Sequence, residues 1–110
     1  MNGRQEKSHV IDVDEGGIIR VRFTIERGRI IAFTAQYEPF IEGRLRPAVR
    51  YVTAHGRAHR DTLDWRGRSI PGLKEWLPEL MDFNDAFTFA EQDLKANWPT
   101  YLVEFLRRRR

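Results

Sequence analysis

The stretch from Ile19 to Tyr37 constrains the fold more than any other part of the chain. Ile19, Val21, Phe23 and Ile25 alternate with Arg20, Arg22, Thr24 and Glu26, a period of two that puts apolar side chains on one face of a strand and polar ones on the other. Arg27-Gly28 follows, a pair suited to a tight hairpin turn because glycine takes a positive φ without steric penalty. Ile31, Phe33, Ala35 and Tyr37 then resume the alternation. Two strands joined by so short a turn pair antiparallel, and the sheet they begin has one face that must be covered.

The flanking segments extend this sheet. His9 to Val13 predicts a short strand turned at Asp14-Glu15-Gly16-Gly17, with residues 1–8 expected to be flexible. Pro39 cannot donate to a ladder, so it should end or bulge its strand, and Glu42-Gly43 predicts a further turn. Val49, Tyr51 and Thr53 alternate with Arg50, Val52 and Ala54, a third strand that runs into His55-Gly56. A fourth is expected from His59 to Trp65, closed by Arg66-Gly67.

The last third changes period. Ile70-Pro71-Gly72 breaks the chain, and Leu73 to Leu80 predicts a helical turn interrupted at Pro78. Phe83, Phe87, Ala90, Leu94, Trp98, Tyr101 and Phe105 then step by three or four, one apolar stripe of a helix. Asp82 or Asn84 serves as its N-cap, and Pro99 inside it predicts a kink. The expected class is therefore α+β: one domain over residues 1–110, a four- to five-stranded antiparallel meander with a long, kinked C-terminal helix on one face. Arg107 to Arg110 form a basic tail.

Composition narrows the possible functions. The chain has no cysteine, which removes disulfides, thiolate nucleophiles and cysteine-based zinc sites. No apolar run approaches the roughly 20 residues that span a bilayer, and Met1 to Lys7 lacks the apolar core of a secretion signal, so a cytoplasmic protein without a membrane partner is expected. The formal charge of +3 hides a division. Gly43 to Arg60 carries five arginines and no acid, whereas Lys74 to Asp93 carries one lysine against six acids. A polyanion would meet the middle segment and the tail. Trp76 and Trp98 fall at apolar positions and read as core or interface residues.

Arg50 to Asp61 holds two of the three histidines and three arginines. Three readings compete for it. In the first, His55 and His59 are hairpin-end residues, Asp61 accepts a histidine N–H, and the arginines solvate a face. In the second the site does acid–base chemistry, because a histidine near its free pKa of about 6.5 gives and takes protons at neutral pH. RNA cleavage needs a base, an acid and a cation for the phosphorane, and two histidines beside arginines supply those types. In the third, His55 and His59 bind a metal with Asp61 or His9. A His-x-x-x-His spacing has force on a helix, and Gly56 within a strand pattern argues against one. Strand alternation, with Leu63 and Trp65 as markers of the covered face, puts His59 and Asp61 at the rim of the core and Arg50 and Arg60 on the open face.

Arg50-Tyr51, Ala54-His55-Gly56 and His59-Arg60-Asp61 together resemble the signature of a family of small prokaryotic proteins, itself similar to the TumE-like toxins of toxin–antitoxin systems. The likeness runs over roughly residues 18–106, and its members begin with a β-meander and end in a helix, as Asp93 to Trp98 resembles. The family pattern places Asp where this chain has Val52, so carry-over is limited to Arg50, Tyr51, His55, His59 and Asp61. The resemblance implies no substrate of its own; joined to the residue inventory, it leads to the expectation of a toxin-like protein acting on RNA or the translation machinery, ribonuclease-like if it is an enzyme. On this reading His55 and His59 are acid and base, Asp61 orients a histidine, Arg50 and Tyr51 complete the catalytic set, and Arg50, Arg57 and Arg60 bind phosphate. A cognate antitoxin protein and RNA are its expected partners, and no metal or cofactor is assigned. The rival expectation is a non-enzymatic binding or assembly module that forms a homodimer or docks a partner.

Overall fold

The computed structural model describes residues 3–109. Its main sheet has six strands: β1 (Arg4–Asp12), β2 (Ile18–Glu26), β3 (Arg29–Glu38), β6 (Val49–Ala54), β7 (Arg57–Thr62) and β8 (Glu75–Trp76). They lie in that order and every neighbouring pair is antiparallel. A small hairpin of β4 (Phe40–Ile41) and β5 (Arg44–Leu45) forms its own two-stranded sheet between β3 and β6. One helix, α1 (Phe83–Arg107), closes the chain and packs on one face of the main sheet. The class is α+β, as the alternation and the helical stripe require.

Three of the turns share one chemistry. Arg27-Gly28, Glu42-Gly43 and His55-Gly56 each have positive φ at both central positions, 53° and 78°, 52° and 80°, 54° and 76°. That is the type I′ geometry whose twist matches paired strands. All three turns are where the residue pattern predicts them.

Three local expectations change. β1 begins at Arg4, so residues 4–8 belong to a nine-residue strand, while Met1 and Asn2 lie outside the described residues. β7 spans 57–62 rather than 59–65, and its continuation leaves the sheet after Leu63. Residues 73–80 hold the two-residue strand β8 in place of a helical turn. The expected C-terminal helix is α1, a single helix from 83 to 107 with Pro99 inside it. Its N-cap is Asp82, whose carboxylate accepts from the Asp85 amide at 2.8 Å.

The core lies between α1 and the sheet. Ile19, Val21, Ala35, Tyr37, Val49 and Tyr51 meet Ala86, Ala90, Leu94 and Phe105. Two alanines in the helix's first turns let it approach closely, and Phe87 fills the gap against Phe23 and Phe33, its ring centroid 4.9 and 5.5 Å from theirs. Near the middle of α1, Trp98 lies so close over Gly16 that a Cβ there would run into its ring. The Tyr37 hydroxyl donates to the Gly16 carbonyl over 2.7 Å. No helix is long and apolar enough to cross a membrane among the described residues.

Candidate functional site

The β6–β7 register decides where the Arg50–Asp61 side chains go. Arg50 pairs with Asp61, Tyr51 with Arg60 and Val52 with His59. Paired residues share a face, and alternate residues change face. Tyr51 packs under the helix, so Arg60 also lies on the helix side, whereas Arg50, His59 and Asp61 lie on the outer side. This corrects the expected placement of all three residues of β7: Arg60 is on the covered side instead of the open one, and His59 and Asp61 are on the outer side instead of the rim of the helix-covered core. The markers used for it, Leu63 and Trp65, lie beyond the end of β7, so strand parity does not carry through to them.

On the helix side the polar groups form a closed network. Tyr51 and Tyr101 both donate to Oδ2 of Asp93 at 2.6 Å, and Asn97 donates to Oδ1 at 2.7 Å. Arg60 donates to the Tyr101 hydroxyl at 2.7 Å and also to Glu75. Burial, reinforced by the Asp93 carboxylate, pushes both tyrosine hydroxyls well above their ordinary range. They stay protonated, and Arg60 is held between Tyr101 and Glu75. The network ties β6 and β7 to α1.

On the outer side His59 and Asp61 are 4% and 8% exposed. Nε2 of His59 is 3.1 Å from Oδ2 of Asp61, and the imidazole lies against Trp76 of β8, ring centroids 4.8 Å apart. Arg57 lies over the same indole and donates to the Leu77 carbonyl. Nδ1 of His59 and Oδ1 of Asp61 have no hydrogen-bond partner, although Lys74 Nζ comes within 4.0 Å of that oxygen. Arg50 donates to Gln36 over 2.6 Å, Gln36 to Glu38 and Arg20 to Glu38, a polar row across three strands.

His55 is in neither group. It is the first central residue of the exposed β6–β7 turn, while His59 lies two residues into β7, about 7 Å along the strand from Arg57. His9 is on β1, four strands from β7 and about 19 Å across the sheet, where it faces Glu91. Among the described residues no three His, Asp or Glu side chains are grouped to hold a metal. Of the residues expected to act together, the fold joins His59 to Asp61, sets Arg50 beside Asp61 in register, and separates His55, Tyr51 and Arg60 from them.

A second constellation, absent from the sequence reading, forms at the C-terminal end of α1. The Arg46 and Arg109 guanidinium carbons lie 4.2 and 4.8 Å from the centre of the Trp65 ring. Phe105 stacks on that ring at 5.1 Å. Arg44, Pro47 and Arg66 line the shallow pocket beside it, and Arg107 and Arg108 line a separate cleft together with Arg60, Glu75 and Glu104. Glu42 pairs with Arg109 and Asp64 with Arg68. Arg44, Arg66 and Arg107 have no carboxylate partner among the described residues, and Nε of Arg46 and of Arg108 is buried without an acceptor. The charge division in the sequence pointed to this end; Trp65, read as a core marker, hid its centre.

A family described as a domain of unknown function, DUF7718, matches residues 3–110. The chain belongs to this family. No curated protein and no solved structure matches it. In this DUF7718 domain, the His59–Asp61 pair is buried beneath Trp76 of β8. The arginine-rich end has an aromatic ring at its centre and three guanidiniums without a carboxylate partner among the described residues.

Proposed function

We propose that the protein is an RNA-binding module that engages the phosphate backbone through the arginine-rich end, without cleaving it. The observation that carries this reading is the convergence of Arg44, Arg46, Arg66 and Arg109 around Trp65 from three separate segments of chain, with Arg107 at the same end of the helix. Clustered guanidiniums beside an aromatic surface suit a flexible single strand, whose phosphates pair with the cations while bases stack. The likeness to TumE-like toxins is the reason for choosing RNA as the polyanion. The separation of His55 from His59 is the reason for choosing binding over acid–base cleavage.

Fluorescence anisotropy with a labelled single-stranded RNA tests the reading. Combined Arg44→Ala, Arg66→Ala and Arg107→Ala substitutions should weaken binding at least tenfold, while Arg22→Ala on the outer face of the sheet should leave it unchanged. Equal affinity of the triple variant and wild type would overturn the site. RNA shortened by wild type and spared by His55→Ala would restore the catalytic reading.

A further inference from the structure

The two edges of the main sheet differ. β8 is two residues long and seals one side with Trp76 over His59. β1 is nine residues long, pairs with β2 without a register shift, contains no proline, and is exposed at every position but Ile11. Edge strands of soluble proteins are normally shortened, bulged or covered, because their outward N–H and C=O groups accept another strand. β1 carries none of these protections except charge, at Arg4, Glu6, Lys7 and Asp12.

We infer that β1 pairs antiparallel with β1 of a second copy of this chain, on a two-fold axis at Ser8. The register follows from two constraints. Alternate residues of an edge strand aim their backbone groups outward, so a strand paired with itself must match even positions to even and odd to odd. Among these registers, the one centred on Ser8 pairs all nine residues. It sets Arg4 against Asp12 of the second copy at both ends, Glu6 against Val10, Gln5 against Ile11 and Lys7 against His9.

The neighbouring registers are blocked by the same charges. Centring on Lys7 opposes two lysines, centring on Glu6 opposes two glutamates, and centring on His9 opposes Glu6 to Asp12; like charges directly across a ladder are destabilising. Centring on Val10 avoids a clash but pairs only five residues. The charges that discourage indiscriminate edge pairing thus select a single self-pairing. It covers Val10, 52% exposed in the single chain, and because even residues pair with even, both helices lie on the same side of one continuous sheet. This assembly is independent of the RNA reading.

Single-cysteine variants test it, since the chain has no other thiol. Ser8 and its counterpart lie directly opposite, within disulfide reach, whereas two Val10 residues are offset by four positions, about 13 Å, beyond it. Ser8→Cys should therefore cross-link under mild oxidation and Val10→Cys should not. In sedimentation velocity at about 100 µM, where micromolar dimers are fully populated, wild type should be dimeric. Asp12→Arg, which opposes arginines at both ends, should raise the dimer Kd at least tenfold. A monomeric wild type, equal cross-linking of the two cysteine variants, or a dimer indifferent to Asp12→Arg would overturn the inference, the last pointing to another surface.

Discussion

Tyr51 donates its hydroxyl proton to Oδ2 of Asp93 over 2.6 Å, and Tyr101 donates to the same oxygen. Two tyrosines from opposite layers thus share one carboxylate atom at the seam between sheet and helix. Tyr37, the third tyrosine of the chain, is also buried, and burial raises its hydroxyl above the ordinary range.

A steep loss of stability in base follows. Below a pH of about 10 the tyrosines are protonated in both folded and unfolded chains and add no pH dependence. Above it the unfolded chain releases protons that the folded chain retains, so the unfolded state binds fewer protons and stability falls as pH rises. Ultraviolet titration should show tyrosinate appearing together with loss of structure. Independent titration of a folded protein near pH 10 would contradict the buried network. Tyr51→Phe should flatten the decline and cost about 1.5–3 kcal/mol, the range for a hydrogen bond to a charged group.

The two histidines should respond differently to substitution. His59→Ala removes the ring packed on Trp76 and leaves the Asp61 carboxylate buried without its partner, at a cost of about 2–4 kcal/mol. His55 sits at φ 54° in a turn that favours asparagine, so His55→Asn should stay within about 0.5 kcal/mol of wild type. Urea unfolding of both variants measures the contrast. Similar losses would mean that His55 has a structural partner beyond the turn.

Pro99 is exposed within α1 and leaves the Lys95 carbonyl without its helical donor. Pro99→Ala restores that hydrogen bond and should stabilise the protein by about 1–3 kcal/mol. A loss of stability on thermal unfolding would instead show that the helix shape imposed by proline is what fits Trp98 and Tyr101 to the sheet.

Salt dependence measures the phosphate contacts of the proposed RNA interface. Each contact to a single strand contributes about 0.7 to the slope of log affinity against log salt. Removing Arg44, Arg66 and Arg107 together should make that slope shallower by about 2. An unchanged slope would separate those guanidiniums from the bound phosphates even if affinity fell for another reason.

Much of the fold is legible in the chain because its signals are local. The alternation from Ile19 to Tyr37, the X-Gly turns and the stripe from Phe83 to Phe105 depend on neighbours within a few residues. The facing of Arg60 was not legible by the same means. Arg60 is a charged residue on the helix side, stabilised there by Tyr101 some forty residues away, and alternation alone reads such a residue as outward. The alternation signals only the last residues of β1 because its polar residues 4–8 lack a covered face: its backbone is held by pairing with β2 more than by burial. The Trp65 cluster joins three distant segments, so no window of sequence contains it.

The type I′ turns also bear on how the sheet assembles. β2–β3 and β6–β7 each close over two residues, contacts of the kind that form within microseconds. β3 and β6 are joined only after the chain has passed through the β4–β5 hairpin, so Ala35 opposite Tyr51 is the less local union. The expected order is two independent hairpins followed by their docking, with α1 completing the core. In folding kinetics, substitutions within either hairpin should slow folding, while Ala35→Gly at the junction should chiefly speed unfolding. A folding rate governed by Ala35 would place the junction in the nucleus and reverse the order.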